Sequence, residues 1–214
     1  MKKHITLFLT FIIVLIALLA SFTFYQKQLY PSICIDPGHG GFDGGAVKND
    51  VLEKDITLNA SIILGSMLEQ TGYNVIYTRN NDSALSNDKT TDMKNRLKII
   101  NKESNIIYIS IHANIYSSNI VKGAQVFYKS TCESSKKLSD FIQDHLYLDD
   151  TTNKRVAKAI SGKYIVDHAK IAGCIVELGF MSNEDDLKTL TNIKKLEQRC
   201  LMIYLGILKY LNYN

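Results

Sequence analysis

A chain of 214 residues is long enough for one domain with an adequate hydrophobic core. Its 25 basic residues exceed its 21 acidic ones by four, and two of the basic residues are Lys2 and Lys3 at the extreme N-terminus. The remainder is close to neutral, a charge balance that does not support nucleic-acid binding. No nucleic acid is expected as a partner.

The first predicted element is an apolar segment. Residues 5–24 contain no charged side chain, and as a helix these 20 residues would span about 30 Å, enough to cross a bilayer. Lys2 and Lys3 favour a cytoplasmic N-terminus, which places the rest of the chain outside the membrane. We expect a signal anchor at 1–24, a linker at 25–31 and a catalytic domain at 32–214. A signal peptide cleaved after Ala20 is the alternative.

From residue 32 onward, runs of apolar and β-branched residues alternate with amphipathic stretches. The pattern predicts strands at 32–36, 73–79, 106–112, 123–129, 163–167 and 173–178. It predicts helices at 53–70, 91–103 and 134–146 and a last helix from about 192. The fold class is therefore α/β: a single domain whose mostly parallel sheet of about six strands has helices on both faces.

The four cysteines are scattered through these elements without Cys-x-x-Cys spacing. They fit small buried apolar residues, and zinc ligation by thiolates is not expected. A disulfide in an exported chain is the alternative, with a pairing that the sequence does not give.

Four ionisable residues stand where a predicted strand ends or the first long helix begins: His39, Glu53, His112 and Glu177. Taken singly, each has a structural explanation, since Glu53 suits a helix N-terminus and either histidine could cap a loop. Taken together they occupy the edge of an α/β sheet where ligands bind. Two imidazoles and a carboxylate, with a second carboxylate beside them, are typical of a catalytic zinc hydrolase.

Five sequence blocks resemble, in order, those of zinc-dependent N-acetylmuramoyl-L-alanine amidases of the Amidase_3 type. They are Asp36-Pro37-Gly38-His39-Gly40-Gly41, the segment Glu-Lys-Asp-Ile-Thr-Leu-Asn that starts at Glu53, Tyr77-Thr78-Arg79, Ser110-Ile111-His112-Ala113-Asn114, and the segment Val-Glu-Leu-Gly-Phe-Met-Ser-Asn that includes Glu177. The resemblance covers about residues 32–212, essentially the whole exported domain. With an anchor directly before the domain and no wall-binding repeat, the chain is most similar to the spore-cortex members of that family.

The resemblance implies that His39, Glu53 and His112 ligate Zn²⁺ and that Glu177 moves the proton between the attacking water and the leaving amine. The bond cut would join the lactyl group of N-acetylmuramic acid to L-alanine of the stem peptide, and the role implied is spore-cortex maturation with muramic-δ-lactam formation.

The remaining site candidates have weaker support. Asn114 could orient His112 or the substrate, or cap a loop. Arg155 and His168 are candidates for substrate contact. Arg79 and Arg96 stand where the family has arginines, and we expect Arg79 to form an internal ion pair.

The expected partners are a peptidoglycan strand with its stem peptide and the membrane, with the active site on the extracytoplasmic side, in the forespore intermembrane space if the cortex role holds. The sequence does not show whether a regulatory protein binds the enzyme. It also does not show whether residues 130–161 have a regulatory role. The competing functions are a zinc peptidase or carboxypeptidase on wall peptides and a non-catalytic, membrane-anchored wall-binding protein.

Overall fold

The computed structural model describes residues 8–19, 21, 31–102 and 104–213. Residues 8–19 are helical, and their apolar side chains are mostly exposed. The span predicted at residues 5–24 lies partly outside the described residues, as does most of the linker predicted at 25–31. Within the described ranges, no helix is long and apolar enough to cross a membrane.

The strands form one large sheet and one small hairpin. The large sheet contains β1 (Ser32–Pro37), β4 (Asn74–Tyr77), β5 (Asn105–Asn114), β6 (Gln125–Lys129), β7 (Lys158–Ile160) and β8 (Ala172–Phe180). Its spatial order is β4-β1-β5-β8-β6-β7, and the pairs are parallel except for β6 against β8. The hairpin joins β2 (Val47–Lys48) to β3 (Val51–Leu52) directly before the first long helix.

Residues 31–102 and 104–213 also contain six helices. They are α1 (Glu53–Gln70), α2 (Lys89–Ile100), α3 (Glu133–Asp149), α4 (Tyr164–His168), α5 (Glu184–Thr191) and α6 (Ile193–Tyr213). Helices α1, α3 and α6 pack with one face of the sheet, whereas α2 and α4 cover the other.

The alternation of side chains along the strands builds a core on each face of the sheet. In β1, Ile33 and Ile35 join the large cluster with α1, α3 and α6, while Cys34 joins the smaller cluster under α2 and α4. In β5, Ile109 faces the large cluster and Tyr108 the small one. The central strands β1, β5 and β8 are buried on both faces and are apolar over most of their length, as is typical of parallel sheets.

The predicted α/β domain with a mostly parallel, six-stranded sheet flanked by helices is confirmed. The strand predicted at residues 163–167 is wrong: this segment forms the short helix α4, and the strand lies earlier, at β7. Ile165 and Val166 are buried, and a run of only three apolar residues suits a helix as well as a strand. Helix α5 was not predicted, although Asn183 caps it by accepting hydrogen bonds from the N–H groups of Asp185 and Asp186.

A buried ion pair joins β1 to α2 on the smaller-core face. The fully buried Arg96 guanidinium lies 3.0 Å from Asp36 Oδ1 and 2.6 Å from Asp92 Oδ2. Thr78 and Ser110 donate hydroxyl hydrogen bonds of 2.6 and 2.7 Å to Asp36. Burial alone would raise the pKa of Asp36, but Arg96 and these two hydroxyl groups outweigh it and hold the pKa below its usual range.

Arg96→Met should lower the free energy of unfolding by about 3–5 kcal/mol, because it leaves the buried Asp36 carboxylate without its cation. Urea unfolding at pH 7 measures the loss. An ionised Asp36 stabilises the fold at neutral pH, and this contribution is lost as the pH falls through its lowered pKa. The difference between parent and variant should therefore shrink below about pH 4. A difference that is small at pH 7, or unchanged in acid, would contradict the assignment.

Candidate active site

The C-terminal ends of three neighbouring parallel strands bring the candidate residues to one edge of the sheet. His39 follows the end of β1, His112 lies near the end of β5, and Glu177 lies in β8. His112 and Glu177 are register partners on adjacent strands, so their side chains stand side by side on the same face. This is the face that α2 and α4 cover.

Glu53 reaches the same edge from the first position of α1. One of its carboxylate oxygens, Oε2, lies 3.1 Å from His39 Nε2, and the other, Oε1, lies 3.0 Å from His112 Nδ1. The two imidazole rings meet edge to face, with their centroids 5.1 Å apart. The structure therefore brings together the three residues that the sequence suggested as metal ligands.

The backbone around Glu53 fixes its carboxylate in place. The N–H of Ala46 donates to Oε2 at 2.9 Å, and the N–H of Ala113 donates to Oε1 at 3.1 Å. Burial alone would raise the pKa of Glu53, but the contacts with His112 and His39 outweigh it and keep the pKa well below its usual range. Glu53 is thus an ionised carboxylate, ready to bind a cation.

These three side chains fit a divalent metal ion. One ligand atom from each of His39, Glu53 and His112 can be chosen so that all three lie within 4.8 Å of one another. Two imidazole nitrogens and one carboxylate oxygen are donors that zinc accepts, and three protein ligands leave a position open for water or substrate. The arrangement is that of a catalytic rather than a structural site.

Two glycines make the close approach of the ligands possible. A Cβ atom added at Gly45 would lie 2.7 Å from Glu53 Oε2 and 2.8 Å from His39 Cδ2, and Gly45 has a φ of +68°. A Cβ added at Gly38 would lie 2.7 Å from His112 Nδ1 and closer still to Cε1. A side chain at either position would displace the neighbouring imidazole ring, so both positions require glycine.

Gly38→Ala should displace His112 and weaken metal binding and hydrolysis, at a cost in stability of about 1–3 kcal/mol from overpacking. Gly44→Ala is the matched control: its added Cβ would meet Leu52 Cδ2 at an ordinary 3.5 Å. Metal content and activity of the two purified variants give the comparison. Equal metal content in both would show that the space beside His112 is not limiting.

Glu177 is the second carboxylate at this edge. Its Oε2 atom is buried and has no hydrogen-bond partner among the described residues. Burial raises the pKa of Glu177, and the nearby Glu53 charge adds to this, while His112 and Lys163 oppose it. A buried carboxyl group with a raised pKa suits the transfer of a proton in both directions.

Two buried arginines hold the loop that carries His39. Arg79 donates from Nε to Pro37 O at 3.1 Å and from Nη2 to Gly38 O at 2.8 Å. Arg96 donates to Pro37 O at 2.6 Å and also to His39 O. The expected ion pair of Arg79 is therefore wrong: within the described ranges its guanidinium bonds carbonyl and hydroxyl oxygens, and Arg96 carries the carboxylate pairs. Both guanidinium groups therefore position the loop.

The three weaker candidates lie around this centre without joining it. Asn114 Oδ1 accepts the N–H of Ile115 at 2.8 Å, which is the loop-capping geometry. Arg155 stacks on the Phe180 ring at 4.6 Å and donates to Gln125 Oε1, the residue beside Glu177 in the register. Substrate contact by Asn114 or Arg155 remains a prediction.

His168 lies further from the candidate centre. It is exposed and stacks on Tyr164 at a centroid distance of 4.5 Å, with Nδ1 2.8 Å from Tyr164 O. It ends helix α4 and not a strand, and it is not part of the cavity wall described next. Its contact with substrate also remains a prediction.

A cavity of about 240 Å³ opens at this edge between α2 and α4. His39 and His112 line it, together with residues that sequence reasoning missed: Asp43, Lys89, Met93, Lys163 and Tyr164. Asp43 lies between Gly41 and Gly44, just beyond the sequence block that ends at Gly41. Lys89, Lys163 and Tyr164 stand at helix starts and Met93 lies in the second turn of α2, where the sequence pattern gives no signal of a site.

Comparisons with known proteins agree with this arrangement. The Amidase_3 family model, described as N-acetylmuramoyl-L-alanine amidase, matches residues 33–209. The germination-specific N-acetylmuramoyl-L-alanine amidase of Bacillus subtilis is 39% identical over 188 residues, covering 83% of this chain and 78% of that protein. The structure of the CwlD amidase from Clostridioides difficile in complex with the GerS lipoprotein is similar with a TM-score of 0.82 and 36% identity, covering 86% of this chain and all of that one.

A more distant similarity is to the amidase AmiC2 of Nostoc punctiforme, with a TM-score of 0.73 and 27% identity over 85% of this chain and 97% of that one. Sequence, fold and the clustered histidines and glutamates lead to one family. The chain belongs to the Amidase_3 family of N-acetylmuramoyl-L-alanine amidases.

Proposed function

We propose that this amidase is zinc-dependent and cleaves the bond between the lactyl group of N-acetylmuramic acid and L-alanine of the stem peptide. The observation that carries the proposal is the cluster of His39, Glu53 and His112 with Glu177 on the adjacent strand. A bound Zn²⁺ supplies Lewis-acid polarisation of the scissile carbonyl and activation of the attacking water.

The chain's own residues then hold the metal site together and move protons. His39, Glu53 and His112 provide the ligand atoms, and the N–H groups of Ala46 and Ala113 keep the Glu53 carboxylate turned towards both imidazoles. Glu177 accepts a proton from the attacking water and donates one to the leaving amine of L-alanine. Its buried, unpartnered Oε2 atom supports this role.

The direct test is hydrolysis of intact peptidoglycan by the full-length chain, purified in detergent and loaded with zinc, without any other protein. Mass spectrometry should find free stem peptides that begin with L-alanine. Shortened stems still attached to glycan would indicate a peptidase instead, and bound but unchanged peptidoglycan would indicate a wall-binding protein. Activity that appears only with cell extract would show that a protein partner is required.

We also propose that the chain acts on the cortex of the developing spore. The similarity to the germination-specific amidase of Bacillus subtilis and to the CwlD amidase supports this role. Deletion in the parent organism should deplete muramic acid that lacks a stem peptide, and muramic-δ-lactam with it. Unchanged cortex composition would refute the spore role and leave the amidase chemistry standing.

The N-terminal segment should anchor the enzyme in the membrane with its catalytic domain on the outer side. Residues 5–24 carry no charge, and the apolar side chains of the helix at residues 8–19 are exposed, with Phe8 and Phe11 at 64% and 65%. The seven residues of the linker span at most about 25 Å, which confines the active site to the membrane surface. Fractionation should recover full-length protein with the membranes. Processed protein free in the medium would contradict the anchor.

A further inference from the structure

Asp43 lies against the side of the His39 ring that faces away from Glu53. Its Oδ2 atom is 3.1 Å from His39 Nδ1, while Glu53 Oε2 is 3.1 Å from His39 Nε2. The two nitrogens of one imidazole therefore face two different carboxylates. His39 Nδ1 is buried and makes no well-aligned hydrogen bond among the described residues, and the Asp43 carboxylate lies within its reach.

The position of the Asp43 carboxylate is set by three neighbours. Asp43 and Gly40 exchange two backbone hydrogen bonds of 2.9 and 3.1 Å, which close the tight turn after His39. The N–H of Gly45 donates to Asp43 Oδ1 at 3.2 Å, and Lys89 Nζ, at the start of α2, lies 3.1 Å from Oδ2. The carboxylate is thus held beside the imidazole by groups outside the ligand set.

A neutral imidazole carries its proton on one nitrogen and offers a lone pair on the other. A carboxylate near Nδ1 favours the proton on that atom and leaves Nε2 as the ligand. Resting on the metal site proposed above, we propose that Asp43 is a positioning residue that fixes the tautomer and orientation of His39 for metal binding. It touches neither the substrate nor the metal in this role.

If Asp43 only stabilised the turn at Gly40 and Gly45, a different result would be expected. Such a residue would stabilise the metal-free fold and leave the zinc affinity of the folded protein unchanged. Two further variants separate the two roles. Asp43→Asn keeps the shape but loses the charge, and its single oxygen can accept from the Gly45 N–H or from His39 Nδ1 but not from both. Lys89→Met removes the neighbouring cation and keeps the carboxylate.

The experiment measures zinc dissociation constants by chelator competition, with full-length protein in detergent, and follows urea unfolding of the metal-free forms. Asp43→Ala should bind zinc about 10–100-fold more weakly than the parent. Asp43→Asn should fall between the two, and Lys89→Met, which loses one group that holds the carboxylate but keeps the carboxylate itself, should lose less affinity than Asp43→Ala. In the zinc-loaded parent, ¹⁵N NMR of the His39 ring should find the proton on Nδ1.

Parent-like zinc affinity in Asp43→Ala would overturn the inference, whatever the stability of its metal-free form. An equal loss in Lys89→Met, or a His39 proton on Nε2, would overturn it as well. If Asp43→Ala does not fold, Asp43→Asn decides, since parent-like affinity there would also contradict the role. Failure of the parent itself to bind zinc would refute the proposed function, which is a distinct outcome.

Discussion

Glu177→Gln should retain zinc and lose hydrolysis of peptidoglycan by at least about 10²–10⁴-fold, because the amide cannot accept and return the proton. The loss should be at the upper end of this range or beyond, since one carboxylate serves both the attacking water and the leaving amine. Glutamine has nearly the same shape as glutamate, so it should fit the space around the buried Oε2 atom. Turnover with peptidoglycan and zinc content of the same preparation are the two measurements.

Glu197→Gln provides the matched control, because Glu197 is an exposed glutamate on α6. This variant should keep both zinc and activity. If Glu177→Gln hydrolysed at close to the parent rate, the proton transfer would have to be assigned elsewhere. If it lost zinc along with activity, Glu177 would belong to the ligand set instead.

His112→Ala should bind zinc far more weakly and abolish hydrolysis. His112 contributes one of the three clustered ligand atoms, and its removal also leaves Glu53 Oε1 without an imidazole partner. The variant should also lose the thermal stabilisation that zinc gives the parent, which amounts to about 2.7 kcal/mol when zinc is present at 100 times its dissociation constant. His39→Ala and Glu53→Ala should behave in the same way.

Zinc stoichiometry and thermal unfolding with and without zinc check this expectation. His145→Ala is the control histidine: it lies on α3 and contacts Phe141 O through Nδ1, outside the candidate site. A chelator should inactivate the parent, and added zinc should restore it. Parent-like zinc content in His112→Ala would show that another residue holds the metal.

The sequence was enough to predict which residues meet at the site edge. His39, His112 and Glu177 each follow or end an apolar run, and in a parallel sheet such positions share one edge. Glu53 could be placed because a glycine-rich loop leads into a long amphipathic helix. Each of these is a local sequence pattern, and the structure places the four residues at one edge of the sheet.

Features that depend on distant partners could not be read in the same way. The local pattern of residues 163–167 suits a strand as well as a helix, and Ile165 packs with Ile100 and Tyr108, which are distant in the sequence. The residues of β6 do not indicate that this strand runs antiparallel to β8. The position of Asp43 beside His39 and the bonds from Arg79 to carbonyl oxygens also could not be predicted. They depend on how the turns fold against neighbouring side chains, which the sequence pattern does not show.

The two arginines that hold the His39 loop bear on how far this loop depends on a metal. His39 has a φ of +62°, a left-handed conformation that costs a residue with a side chain roughly 1–2 kcal/mol. Bonds from Arg79 and Arg96 to the carbonyls of this loop offset that cost. Both arginines lie outside the ligand set, so their contribution to the shape of the loop does not require a metal. In a zinc finger, by contrast, the fold itself depends on the metal.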